Sequence, residues 1–122
     1  MPSAYLPSLM PARIIDGLSL AKTFREQIAA RVAALRAKGM SVRLDAVLVD
    51  GGDNSSRVYA DNQAKTCLSL GIEYKLHVLP STALFDEIAG RVLLMNTQAE
   101  IGAMMVHLPM PDGVDADRKS VV

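Results

Sequence analysis

Two short segments hold the residues able to do chemistry: Ser55 to Gln63 (SSRVYADNQ) and Met105 to Pro111 (MVHLPMP). If the first is helical, Ser56, Tyr59, Gln63 and Cys67 fall on one stripe about 80° wide, at 3.6 residues per turn. That stripe carries a hydroxyl, a phenol, an amide and a thiol, an uncommon set for a face meant to be buried. The second segment mounts His107 just before two prolines, Pro109 and Pro111. They stiffen the chain and donate no backbone hydrogen bond. Imidazole, with an ordinary pKa of about 6.5, suits general-base work near neutrality. On a strand, His107 faces away from Val106 and Leu108. Each feature also has a plain structural reading: a solvated helix face with Tyr59 half-buried, and a hydrogen-bonded histidine closing a strand.

Other candidates carry less. Gly51 and Gly52 follow a strand and precede a helix, as phosphate-cradling loops do. Yet the sequence has neither G-x-G-x-x-G nor a Walker pattern, which argues against a dinucleotide site on this chain. Cys67, inside a helix, reads as a small hydrophobe. His77 sits mid-strand, far in sequence from any candidate partner, and is assigned no role. Met104, Met105 and Met110 read as core filler, although Met110 lies in the proline turn and can touch a ligand.

The elements that must position these residues follow from spacing. Leu18, Ala21, Phe24, Ile28, Val32 and Leu35 recur at intervals of three and four, predicting a helix with one apolar, core-facing stripe. Asp16 caps its start and Gly39 stops it. Leu44 to Val49 (LDAVLV) reads as a buried strand, and Asp50 to Asn54 (DGGDN) as a loop. Ser55 or Ser56 then caps a second helix that ends before Gly71. Tyr74 to Leu79 is a second strand, closed by Pro80. Ser81 or Thr82 caps a third helix with Leu84, Ile88, Val92 and Met95 on its core face. Ala103 to Leu108 is the third strand, stopped by the prolines, and Asp117 opens the first turn of a further helix. Strands separated by such helices predict a three-layer α/β/α domain with a mainly parallel sheet and helices on both faces. In such folds ligands bind at the carboxyl ends of the strands, where both chemical segments lie.

Composition narrows the function classes. With 122 residues, half of them hydrophobic, the chain supports one domain with a full core. We expect residues 1–12 to form a flexible arm without the charged start of a signal peptide, and residues 13–122 to form the domain. Thirteen basic residues balance thirteen acidic ones, which argues against a nucleic-acid or anionic-membrane binder. A single cysteine excludes a disulfide framework and a Cys-cluster zinc site, and no metal site is expected. No apolar run approaches the roughly 20 residues a membrane helix needs. A reducing, cytoplasmic setting is the expectation.

Taken together, the segments resemble the amino-terminal domain of the bifunctional methylenetetrahydrofolate dehydrogenase/methenyltetrahydrofolate cyclohydrolase family. The matching features are Ile14-Ile15-Asp16-Gly17, Val47-Leu48-Val49, Ser56-x-x-Tyr59, and Val106-x-Leu108-Pro109-Met110-Pro111 followed by Gly113-Val114-Asp115. Their order and spacing agree from Arg13 onward, apart from one extra residue in the DGGDN loop. The resemblance implies an enzyme of one-carbon metabolism, feeding purine biosynthesis. It would oxidise 5,10-methylenetetrahydrofolate with NADP or NAD, then hydrolyse the methenyl product to the 10-formyl form. It also implies a homodimer and a carboxyl-terminal Rossmann domain that binds the dinucleotide, outside this chain. An acidic residue that holds the pterin ring lies past Val122 in the family pattern. By the same resemblance Ser56, Tyr59, Leu108, Pro109 and Met110 contact substrate, and Tyr59, Gln63 and His107 stand at the catalytic positions.

Two of those positions depart from the pattern. The family lysine of the cyclohydrolase step, four residues after the tyrosine, is here Gln63, and a carboxamide cannot serve as a general acid. Lys65 is no substitute, because two helical residues turn it by roughly 200°. The family glutamine that hydrogen-bonds that lysine is here His107. One amide and one titratable base therefore remain, on exchanged elements. Our hypothesis is that His107 takes part of the proton handling, with Gln63 orienting it or the attacking water. The competing readings are a dehydrogenase that has lost hydrolysis, a non-catalytic folate-binding module, and the substrate domain of an amino-acid or shikimate-type dehydrogenase.

Overall fold

Helices alternate with strands in a computed structural model whose described residues are 11–52, 54–111 and 113–115. α1 spans Gly17–Ala37, β1 Arg43–Val49, α2 Asn54–Leu70, β2 Glu73–Leu79, α3 Phe85–Asn96 and β3 Ala103–Val106. The strands form one parallel sheet in the order β2-β1-β3, with α2 and α3 as the crossovers. β1 takes the centre because it is apolar on both faces: Ala46, Val47, Leu48 and Val49 are all buried. Val47 and Val49 join Leu79, Ala83, Ile88 and Met95 in a core on the α3 side. The opposite face meets α2, whose Ala60 and Cys67 are buried and whose Gln63 touches Met105 and Tyr74. The α/β class and the helices on both faces are as the sequence predicts.

Local chemistry explains the boundaries. Asp16 caps α1, its carboxylate accepting from the Ser19 backbone N–H at 3.1 Å and from Ser19 Oγ at 2.7 Å. Those bonds hold the carboxyl below its usual range. Gly71 ends α2 with φ +82°, and a Cβ there would stand 3.3 Å from Val32 Cγ1. Glycine is thus required twice, for the left-handed turn and for the close approach of α1. Arg36 Nε secures the same junction by donating to the Gly71 carbonyl at 2.7 Å.

Several expectations are corrected. The apolar stripe of α1 forms, but of its six residues only Val32 is buried; Leu18 is 87% and Phe24 53% exposed. α1 docks where Val32 meets Gly71, and nothing among the described residues covers the rest of the stripe. α2 begins at Asn54, so Ser55 and Ser56 lie inside its first turn rather than at the cap. α3 is capped by neither Ser81 nor Thr82. Those residues sit in a turn closed by Ala83 N–H on the Pro80 carbonyl, and Leu84 is the exposed N-cap residue, with no side-chain hydrogen bond. Asp86 and Glu87 in the first turn complement the helix dipole instead. β3 stops at Val106, although the His107 N–H still donates to the Val47 carbonyl at 2.8 Å. The Leu108–Pro109 peptide is cis. Of the expected arm only Pro11 and Ala12 are described, both exposed, and the helix expected from Asp117 lies outside the described residues. Among the described residues no helix is long and apolar enough to cross a membrane.

His77 does have a partner. Its Nε2 lies 2.7 Å from Oδ2 of the fully buried Asp45, on the α3 side of the sheet. Arg43 grips the same carboxylate in a fork, Nε to Oδ1 at 2.7 Å and Nη2 to Oδ2 at 2.9 Å. Burial pushes the Asp45 carboxyl up. The bonds from Arg43 and His77 outweigh that and hold it below its ordinary range.

Candidate functional site

A cleft opens at the carboxyl ends of β1 and β3, between the first turns of α2 and the 107–111 turn. It consists of two adjoining hollows that share Ser56 and Pro109. One, of about 310 Å³, runs from Asp50 and Arg57 to Met110 and Pro111. The other, of about 460 Å³, is walled by Ser55, Tyr59, Met105, His107 and Leu108. Both volumes suit a small organic ligand. Larger hollows of about 610 and 620 Å³ flank α1, but they lie away from the carboxyl ends of the strands.

His107 points toward α2, opposite Val106, as strand alternation predicts. It is 5% exposed, and its ring meets that of Tyr59 edge-on, with centroids 5.7 Å apart and planes at 77°. Burial lowers the imidazole pKa, so the ring is neutral at physiological pH. Its Nε2 is buried and, among the described residues, has no hydrogen-bond partner. Tyr59 is 61% exposed, which leaves a ring surface open to the hollow. An aromatic edge-to-face pair of this kind contributes about 0.5–1.5 kcal/mol beyond burial.

The rest of the stripe faces the sheet and the proline turn rather than open solvent. Ser56 Oγ donates to the Leu108 carbonyl at 3.4 Å, tying α2 to the proline turn. Gln63 sits behind Met105 rather than on the hollow wall. Its Nε2 donates to Met105 Sδ at 3.0 Å, and its Oε1 accepts from the Tyr74 hydroxyl at 3.0 Å. No hydrogen bond joins Gln63 to His107 among the described residues. Burial pushes the Cys67 thiol and the Tyr74 hydroxyl up, so both stay protonated near neutrality. Leu108 is 66% exposed beside the cleft, and Met110 packs on the α3-side core while lining the smaller hollow. Met104 is exposed, which makes it poor core filler.

At the mouth, Arg57 Nη2 stands 3.5 Å from Asp50 Oδ2, both side chains about half exposed. Such a pair contributes about 0–1 kcal/mol. Among the described residues no group of three or more His, Cys, Asp or Glu side chains gathers to hold a metal. Sequence reading missed Tyr74 and Asp45. The available signals were a phenol near the start of the second strand and an acidic residue inside an apolar one.

Comparison with known proteins gives the family. Residues 15–121 match the family described as tetrahydrofolate dehydrogenase/cyclohydrolase, catalytic domain. The bifunctional protein FolD 1 of Rubrobacter xylanophilus is 36% identical over 104 residues, 85% of this chain and 36% of that protein. FolD of Nitrosospira multiformis is 41% identical over 110 residues, 89% of this chain and 38% of that protein. Among solved structures, the bifunctional FolD enzyme of Campylobacter jejuni superposes with a TM-score of 0.80 at 26% identity, covering 84% of this chain and 36% of that one. The Trypanosoma brucei enzyme, solved with NADP cofactor and inhibitor, gives 0.75 at 25% identity, covering 85% and 35%. The chain thus spans well under half the length of the relatives it matches. Since the match runs from the first turn before α1 through the proline turn that walls the cleft, the chain belongs to the tetrahydrofolate dehydrogenase/cyclohydrolase family, within its catalytic domain.

Proposed function

We propose that residues 13–122 form the folate-binding part of a cytoplasmic, homodimeric enzyme that oxidises 5,10-methylenetetrahydrofolate to the methenyl form with NADP or NAD. The observation that carries this reading is the Tyr59–His107 pair at the wall of a hollow closed by Pro109. A flat heterocycle entering there meets the open surface of Tyr59 on one side and the Leu108–Pro109 turn on the other. Ser56, held on the Leu108 carbonyl, fixes the spacing between those walls.

The dinucleotide does not fit the residues of this chain. At the glycine-bearing turn between β1 and α2, the Asp50 carboxylate accepts from the Gly52 N–H at 3.3 Å. The same carboxylate also engages Arg57 at 3.5 Å, so both the backbone N–H and the cation that a pyrophosphate would need there are already taken. Hydride transfer therefore belongs to a part of the enzyme outside this chain.

For hydrolysis of the methenyl group, Gln63 can neither give nor take a proton near neutrality. His107 is the titratable base of the hollow that Tyr59 walls. Kept neutral by burial, it can take a proton from water attacking the one-carbon bridge. The position of Gln63 favours a second reading, a dehydrogenase with little cyclohydrolase activity, because its amide is engaged with Met105 and Tyr74. Calorimetric titration with 5-formyltetrahydrofolate tests the folate assignment. Wild type binds, and Tyr59→Ala weakens binding by about 3- to 10-fold, the worth of one aromatic contact. No binding by wild type would sink it.

A further inference from the structure

We infer that Tyr74 and Gln63 form a brace that fixes Met105 in the wall of the hollow, which makes Tyr74 a positioning residue of the site. Tyr74 stands on β2, in register with Leu44 of β1, one strand beyond the sheet centre from β3. Its hydroxyl donates to Gln63 Oε1, and Gln63 Nε2 donates to Met105 Sδ on β3, each at 3.0 Å. The chain of contacts thus runs from one edge strand, through α2, to the other edge strand. Its last member lines the hollow beside His107 and Tyr59.

The polarity of the chain is determined from both ends. A thioether has no hydrogen to give, so Met105 can receive only the nitrogen end of the amide. A phenol can donate or accept, but among the described residues the Tyr74 proton finds its acceptor at the oxygen end. Both neighbours therefore select the same one of the two amide orientations. The opposite orientation would set carbonyl oxygen against sulfur and leave the phenol proton unpaired. Met105 gains most from this arrangement. Methionine is unbranched and turns about three bonds, so it adapts its shape unless something holds it. In this cleft the amide N–H holds it, and the hollow keeps a preformed wall next to the imidazole. Gln63 acts here through Met105 rather than on a proton.

The test uses the 122-residue chain labelled with ¹³C at the methionine methyls. The Met105 signal is assigned by its loss in Met105→Leu. Expected in wild type is a Met105 methyl shift away from the rotamer-averaged value. Tyr74→Phe and Gln63→Leu each move it to the averaged value and leave the Met110 signal in place. Each variant also weakens 5-formyltetrahydrofolate by about 3- to 10-fold, the net worth of one hydrogen bond. In the Met105→Leu background Tyr74→Phe costs nothing further, whereas a merely structural tyrosine would cost the same in both. An unmoved Met105 signal in Tyr74→Phe, or additive losses with Met105→Leu, overturns the brace. The affinity arm rests on the folate reading. If wild type fails to bind the probe, that reading falls while the methyl signals still decide the brace.

Discussion

Asp45 and His77 meet across the β1–β2 ladder, Oδ2 to Nε2 at 2.7 Å, although Asp45 is paired in register with Lys75. Arg43 completes the set from the same face of β1, and the carboxylate is fully buried. A buried charge is tolerable only while its partners remain. Asp45→Ala should therefore lower the unfolding free energy by about 3–5 kcal/mol in urea titrations at neutral pH. Replacing Arg43, Asp45 and His77 together with apolar residues of like volume should cost far less. The acid limb follows the direction of the Asp45 shift. As pH falls, the unfolded carboxyl takes up its proton near the ordinary 3.8 and the folded one only below it. The stabilisation is thus present above that range and is lost as pH falls through the folded pKa. An acid limb unchanged in Asp45→Ala would refute this.

His107 gives a second pH dependence, with its own sign. Burial depresses the folded pKa below the ordinary 6.5, so on acidification the unfolded chain binds the proton first. Stability contributed by the neutral ring is complete above 6.5 and declines as pH falls toward the folded value. Each unit of depression corresponds to about 1.4 kcal/mol. Denaturant midpoints compared at about pH 7.5 and about pH 5.5 should drop in wild type more than in His107→Gln. Equal drops would mean that His107 is not the group responsible.

What the sequence could and could not reveal follows from the range of each signal. Strand alternation put His107 opposite Val106, and helical spacing put Ser56, Tyr59 and Gln63 on one stripe; both are local, and both appear in the fold. The period of α1 marked which face is apolar but not what would cover it, so Leu18 and Phe24 were expected in a core they do not enter. The α3 start was misplaced because the turn on Pro80 absorbs Ser81 and Thr82. His77 and Tyr74 depend on parallel pairing with β1 and on the seat of α2, contacts between residues 11 to 32 apart. No short-range pattern encodes those.

Gly71 is a sharp test of how α1 is seated. It combines a left-handed backbone with a 3.3 Å approach to Val32 Cγ1 from the position a Cβ would take. The conformation alone costs an alanine about 1–2 kcal/mol. Gly71→Ala should lose at least that in thermal or urea unfolding. Pairing it with Val32→Ala should recover the part due to crowding. If the Gly71→Ala and Val32→Ala losses simply add in the pair, with no part recovered, α1 does not pack there.

Gln63 decides the hydrolytic half of the chemistry. A positioned acid/base group contributes about 10²–10⁴-fold, and a carboxamide contributes none of it. In an enzyme that carries this chain together with its dinucleotide-binding domain, Gln63→Lys should raise methenyl hydrolysis by up to that factor. An ammonium at that place can still donate to the Tyr74 oxygen, so folate affinity should change by only about 3-fold. His107→Ala separates the two readings of wild type. If His107 handles the proton, its loss lowers the residual hydrolysis of wild type by about 10-fold or more and has a smaller effect in the Gln63→Lys variant. If wild-type hydrolysis is untouched by His107→Ala, the imidazole is not the base, and the chain belongs to an enzyme specialised for oxidation.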